Sequence, residues 1–523
     1  MNWKKYREFF EHSRITEDHF VLGIDMGAAT SAISYFDPVR HVAEVLDISG
    51  GYGKASAPTA LQYIADTREW IFGEYAILNV DGGDSHALLT DFTTKLGSGE
   101  YIDIGESGGA RSVVDITAIY LKELIANCRS INPRAQVAGI VATMPDFAGT
   151  QFKSAMLAAY RSAGYDRVLI DLLPEREAIL AQYFRDKGGL EDERLLLLDF
   201  GARGLRGGIY DVGLSAPSEA GSVKCLVAMM DEELSTKAVD ASIYKLLTDY
   251  YCKNRKITAE RLTRAEHALL YTFAHQHKDM LLGHNDDKLL KLYYNFAFPP
   301  FSVAVPRSDI DKILRAHGQK MDDFIQDLAA KAAGAKRDIN TIICTGGGFE
   351  MPWVKKRITA LFPKEKLHIY KNAKTVLSQG ATYAAAARLG LLPQIRFDIE
   401  DGHKIPCDVG ISVGGTGGKY RFLPVLERNS PLWQKPRTAY VILQGAAPEK
   451  SQIEIYKRDV DGETVKVGAA RLSDLPARPP GTTKLSIDIT AKTAEHCTVT
   501  IKDLGFGEIF PSSGISKEIE VRL

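Results

Sequence analysis

Two short stretches constrain this chain more than anything else in it. GIDMGAATSAISYF, from Gly23, and LDFGARGLRGGIY, from Leu198, share one grammar: an apolar strand, Asp-x-Gly, a turn of small residues and a returning strand. Their aspartates, Asp25 and Asp199, lie a domain's length of chain apart, too far for a solenoid repeat and right for a duplicated domain. A tight hairpin with small residues at its tip points successive backbone N–H groups into one concavity, and such a nest holds phosphate oxygens. An aspartate closing the first strand orients waters on Mg²⁺, an ion that keeps much of its hydration shell. Two such hairpins facing each other across a cleft enclose a Mg²⁺-triphosphate, and for either alone a structural turn is the competing reading.

The surrounding text fits a two-lobed body. From Val21 to about Gly390, β-branched strands alternate with amphipathic helices, marked at Asp115–Arg129, Ala148–Ala163, Glu175–Phe184, Glu233–Tyr251, Thr258–Leu282, Arg307–Ala333 and Met351–Leu361, an α/β pattern. After Gly390 the text turns polar and is broken by proline and glycine. Seven short alternating segments follow: GISV, KYRFLPVLE, TAYVILQG, QIEIYKRDV, KLSIDITA, HCTVTIKD and KEIEVRL, which read as an antiparallel sandwich. At 523 residues the chain exceeds what one core supports. The boundaries read as an N-terminal helical extension over 1–20, a nucleotide-binding body over 21–390 (lobe I about 21–194, lobe II about 195–390), a linker over 391–408 and a β-sandwich over 409–523.

Charge removes several functions. With 65 basic against 66 acidic side chains and a net charge of -1, general electrostatic binding to nucleic acid or anionic lipid is not expected. Cys128, Cys225, Cys252, Cys344, Cys407 and Cys497 form no CxxC pair, so neither a zinc site nor a disulfide framework is written here, and a reduced cytoplasm fits. The first twenty residues lack a signal-peptide core, and no apolar run reaches membrane-spanning length. Trp3, Tyr6, Phe9 and Phe10 recur at helical spacing and read as a helix docked on the body rather than on a membrane.

A third element is TIICTGGGFEMPWVKKRI: a strand ending at Cys344, three glycines, and Pro352 opening a helix. Three motifs in this order resemble the actin-like ATPase superfold, a duplicated ribonuclease-H-like architecture, and most resemble its seventy-kilodalton heat-shock chaperones of the DnaK type. The resemblance extends through VAGIVATMPDFAGTQFKSAMLAAYRSAGY, PEREAILAQYF and RSDIDKILRAHGQKMDDFI. It continues into GISVGGTGGKYRFLPVLERNSPLW and TAYVILQGAAPEKSQIEIYKRD, which look like the first strands of the family's peptide-binding sandwich. The text stops at KEIEVRL, about where that sandwich ends, so the family's helical lid is not expected.

The resemblance implies ATP or ADP with Mg²⁺ in the cleft, and roles by position. Asp25 and Asp199 match the aspartates that hold Mg²⁺ through water, Lys95 the lysine on the γ-phosphoryl, and Glu175 the glutamate that orders the attacking water. Gly27, Ala28, Ala29, Gly201, Ala202 and Arg203 fall on the phosphate hairpins. Gly346, Gly347, Gly348, Glu350 and Lys278 fall around the adenosine. Such a grouping suits phosphoryl transfer, which needs charge stabilisation and an aligned water rather than a covalent nucleophile. A solvated loop lysine and a helix-start carboxylate remain the plain readings of Lys95 and Glu175.

Departures from the family cluster on the nucleotide. Ala28 and Ala29 replace two threonines; Gly201, Ala202, Arg203 and Gly204 replace Gly-Gly-Gly-Thr; Ser235 and Thr236 replace a glycine pair, with Asp240 kept. The adenine-side helix reads HQHKDMLL, giving His275 and Leu282, and the ring-stacking arginine falls at Glu350, which cannot provide a cation–π contact. Arg203 and Arg206 offset these losses if they face the cleft; on the rim of the turn they are merely solvated. His275, His277 and His284 lack metal-ligand spacing. The sandwich loops near Val413–Tyr420 and Gly445–Lys450 are where the family takes an extended peptide, and rapid release is expected without a lid. The expected function is a chaperone-like ATP binder with weak hydrolysis, an unfolded peptide or protein as client and a co-chaperone-like partner. The alternative is a pseudo-ATPase adaptor that has lost productive nucleotide binding. A small-molecule kinase on the same superfold has no place for the sandwich.

Overall fold

The computed structural model describes residues 19–523 apart from 50–52, 79–87, 105–107, 131, 132, 135, 214–220, 284–287, 332–337, 393–396, 402, 403, 415–419, 431, 433–435 and 445–451. The N-terminal aromatic stripe, His284 and the tips of both expected peptide loops lie outside the described residues. The chain divides into two compact units, one of residues 1–146 with 151–400 and one of residues 147–150 with 401–523.

The first unit is built on two mixed sheets. In the first, β1 (His19–Met26) pairs antiparallel with β2 (Thr30–Asp37), which pairs with β3 (Val42–Val45); on its other side β1 runs parallel to β4 (Gln136–Met144), followed by β5 (Leu169–Pro174). In the second, β6 (Glu193–Phe200) and β7 (Leu205–Gly213) form the hairpin and β8 (Gly221–Asp231) the next strand, while β9 (Thr341–Thr345) and β10 (Leu367–Ile369) lie parallel beyond β6. Each Asp-x-Gly hairpin thus holds the middle of its sheet, with parallel strands on the aspartate's side. Every residue of β6 is buried, as expected of a strand covered on both faces.

Helices cover these sheets at the expected places: α1 (Val113–Ala126), α2 (Thr150–Ala163), α3 (Glu175–Lys187), α4 (Thr236–Arg255), α5 (Arg264–Leu282), α6 (Arg307–Lys331) and α7 (Pro352–Leu361). Local chemistry sets their starts. Ser112 caps α1 by accepting from the Asp115 N–H, and Thr263 with Glu266 forms a capping box on α5. A further helix, α8 (Val376–Arg388), was not marked by periodicity. It packs so closely that a Cβ on Gly380 would lie 1.8 Å from the Ala178 carbonyl oxygen of α3, and one on Gly23 of β1 would lie 2.1 Å from the Ser378 carbonyl oxygen.

The second unit is two four-stranded antiparallel sheets. One takes β11 (Asp408–Gly414), β12 (Tyr420–Leu426), β13 (Gln452–Arg458) and β14 (Thr464–Arg471); the other takes Arg437–Leu443, Thr483–Thr493, His496–Gly505 and Ser516–Arg522. The core between them gathers Ile411, Leu426, Ile455, Leu485, Ile487, Ile489, Val499 and Ile501. Beside it the buried Arg478 guanidinium makes two 2.8 Å hydrogen bonds to Asp503, whose carboxylate also accepts from the N–H groups of Gly505 and Ser513. Thr464–Arg471 is a strand that the sequence pattern did not reveal. All six cysteines are buried and free. Among the described residues, no helix is long and apolar enough to cross a membrane.

Candidate functional site

The second hairpin turns tightly at Gly201–Gly204, where the Gly201 N–H donates to the Gly204 carbonyl at 3.0 Å. That turn sets the register of the strands it joins, and Asp199 of β6 lies opposite Arg206 of β7. Directly opposed residues share one face of a sheet, so the Arg206 side chain is delivered to the Asp199 carboxylate. Its guanidinium contacts Asp199 through Nη2 and, through Nη1, the Glu175 carboxylate at the start of α3. Relative exposures of 8% for Arg206, 7% for Glu175 and 2% for Asp199 leave the three almost without water.

Burial pushes the Asp199 carboxyl upward, and the like charges of Asp146 and Asp25 add to it. The same burial pushes Arg206 below the ordinary guanidinium value, against the attraction of Asp146 and Asp25. Each group pays for being charged in this place, and contact between opposite charges is what offsets that cost. Asp25, at the end of β1, accepts a 2.7 Å hydrogen bond from the Thr143 hydroxyl on the parallel β4. Burial pushes its carboxyl up to about 6, against that bond and the charges of Arg206 and Arg203.

Arg203 also turns inward. It donates to the Thr93 carbonyl at 3.0 Å and lies over the Phe152 ring, 5.4 Å from its centroid. Burial pushes it down to about 10, opposed by the charges of Asp25 and Glu232. Neither arginine of the hairpin is a solvated rim residue, and each already contacts groups of the chain.

The glycine element fits the same corner. Gly346 has φ of 87°, and a Cβ there would lie 2.3 Å from an Asp199 carboxylate oxygen; one on Gly348 would lie 2.2 Å from the Phe200 ring. Gly347 opens a short 3-10 turn through Glu350, and Pro352 follows as the first residue of α7. In the first hairpin the Gly27 N–H donates to the Thr30 carbonyl; Ala28 is buried and Ala29 exposed.

Other positions have partners elsewhere. Lys95 is half-exposed and pairs with Glu100 at 3.0 Å, Lys278 pairs with Asp240 at 2.6 Å, and Glu350 lies 3.6 Å from Lys374. Ser235 caps α4 by accepting from the Ala238 N–H, and the Thr236 N–H donates to the Gly201 carbonyl. Ala202 and Gly201 form the half-buried tip of the second hairpin. Among the described residues no cluster of histidine, cysteine and carboxylate groups could hold a metal ion, and His277 instead bonds the Phe273 carbonyl through Nδ1.

The structure therefore brings together Asp25, Glu175, Asp199, Arg203, Arg206 and Gly346. Thr143, Asp146 and Thr93 join them, and sequence reasoning had not singled these out. Asp146 accepts from the Arg176 N–H at 2.8 Å and so fixes the start of α3 behind Glu175. A hydrated magnesium ion needs carboxylate oxygens directed at its waters, and the Arg206 guanidinium takes one oxygen of Asp199 and one of Glu175, so the ion would share this corner with a buried cation.

Comparison with known proteins agrees with this geometry at a coarse level. A family described as "Domain of unknown function (DUF8552)" matches residues 404–523, the sandwich unit. Over nearly the whole chain there is a second likeness. "Chaperone protein DnaK" of Thermosipho melanesiensis is 23% identical over 504 residues, 94% of this chain and 80% of that protein. The proteins of the same name from Thermosipho africanus and Thermotoga petrophila are 23% identical over 497 and 511 residues, in each case 94% of this chain and 79% of theirs. The identity is low and the coverage broad, which supports distant kinship with the DnaK chaperones.

Proposed function

We propose that this is a chaperone-like protein in which the nucleotide cleft is neutralised from within and ATP is not turned over, leaving the β-sandwich as the surface offered to peptide or protein. The observation that carries this reading is the Arg206 guanidinium on both Asp199 and Glu175. Displacing it would leave a buried cation without partners, a penalty that a magnesium nucleotide must overcome before it binds productively. The half-exposed Lys95, paired with Glu100, and the substitutions at Ala28, Ala29, Gly204 and Glu350 point the same way. The description of the body as duplicated ribonuclease-H-like lobes of an actin-like ATPase rests on the shared strand order of its two sheets.

The second reading is a weak ATPase, favoured by Asp25, Glu175 and Asp199 converging in one buried place beside a glycine turn that requires Gly346. Phosphate release with Mg-ATP, in wild type beside Asp199→Asn and Lys95→Ala, separates the two. Equal background in all three supports the first reading; turnover in wild type that both substitutions abolish establishes the second. A labelled apolar peptide should bind, if the sandwich takes peptides, with an affinity that Mg-ATP leaves unchanged.

A further inference from the structure

Three cations beside the second hairpin share a direction. Arg206 and Arg203 belong to the hairpin of the second sheet, and Lys237 to the first turn of α4 that follows that sheet. All three reach groups earlier in the chain, associated with the first sheet: Arg206 the Glu175 carboxylate, Arg203 the Thr93 carbonyl, and Lys237 the Asp91 carboxylate. Asp91 and Thr93 lie on one short segment before α1, and Glu175 opens α3 directly after β5. The contacts thus join two separate parts of the first half to one corner of the second.

We infer that Arg203, Arg206 and Lys237 form a cationic clasp that holds the two halves of the first unit together without nucleotide or metal. Arg206 is its buried centre, because its guanidinium contacts Asp199 of its own sheet through Nη2 and Glu175, at the start of α3, through Nη1. Arg203 is a second, half-buried tie, seated between a backbone carbonyl and the Phe152 ring. Lys237 and Asp91 form the outer, solvent-screened tie, which contributes less. A ligand closes two halves only through a difference in its affinity for the open and closed forms. The clasp supplies contacts between the halves from the chain's own side chains, and Mg-ATP would have to undo it to take its place. This deepens the reading of a neutralised cleft and rests on it.

The test measures the distance between the halves in the full chain. Spin labels on Tyr101→Cys and Lys291→Cys, both exposed and one in each half, report that distance, since the native cysteines are buried. The expected result for the labelled parent is one narrow distance distribution that Mg-ATP does not shift. Arg206→Gln should broaden it toward longer distances and speed amide exchange at least tenfold both at 91–96 and at 201–206. Lys237→Ala, a surface change that leaves the core intact, should speed exchange at 91–96 two- to tenfold and provides the test if Arg206→Gln does not fold. The clasp is overturned if the parent is broadly distributed and narrows on adding Mg-ATP, or if the substitutions leave distance and exchange unchanged. Phosphate release measured on the same samples keeps the two ideas apart: turnover with a narrow, ligand-insensitive distance removes the proposed function and leaves the clasp standing.

Discussion

At the scale of single residues, two buried carboxylates make opposite statements about pH. Asp25 is pushed from 3.8 to about 6, so the folded chain holds its proton more tightly than the unfolded chain does. Its contribution to stability is complete below about pH 4 and is lost as pH rises through about 6. Asp25→Asn removes that dependence, and urea unfolding should show the variant gaining about 2–3 kcal/mol on wild type between pH 4 and pH 7. For Asp503 burial alone would raise the carboxyl, but hydrogen bonds from Arg478, Ser513 and Gly505 outweigh it and hold the group well below the usual carboxylate range. Its contribution is therefore present above about pH 4 and lost as pH falls below that. Arg478→Met leaves Asp503 buried without its cation, and thermal unfolding should show the sandwich destabilised by about 3–5 kcal/mol. None of these environments is written beside the residue in sequence. Asp25 and Asp199 stood out by their turns, but what surrounds them follows from pairings far along the chain, Thr143 through a parallel strand and Glu175 through a helix start.

At the scale of elements, the sequence pattern worked where one face meets water and failed where none or both do. The seven amphipathic helices were legible, with Pro352 and the strand before it marking the start of α7. The helix VLSQGATYAAAAR was not, because Ser378, Gly380, Ala381, Thr382, Ala385 and Ala386 bury small residues around most of its circumference and leave little periodicity. The missed strand TVKVGAAR is an edge strand with mostly exposed residues, so it lacks alternation. Tight packing of α8 yields a sharp expectation. Gly380→Ala drives a methyl group into the Ala178 carbonyl of α3, and denaturant unfolding should show a loss of at least about 3 kcal/mol. An unchanged midpoint would mean that α8 is not seated on α3 in this way.

At the scale of the whole molecule, an α/β body and an antiparallel sandwich were legible from the change of pattern after Gly390 and from the paired Asp-x-Gly hairpins. The chemistry of the cleft was less so, and one physical reason stands out. Arg206 reads in sequence as either a phosphate ligand or a rim residue; only the register of the β6–β7 hairpin places it opposite Asp199 and within reach of Glu175. The DnaK proteins match 94% of this chain at 23% identity, and a guanidinium lies on Asp199 and Glu175. The most direct measurement is phosphate release from Mg-ATP by wild type beside Asp199→Asn. A cleft neutralised by Arg206 gives the same background rate in both; turnover in wild type that Asp199→Asn abolishes would contradict it.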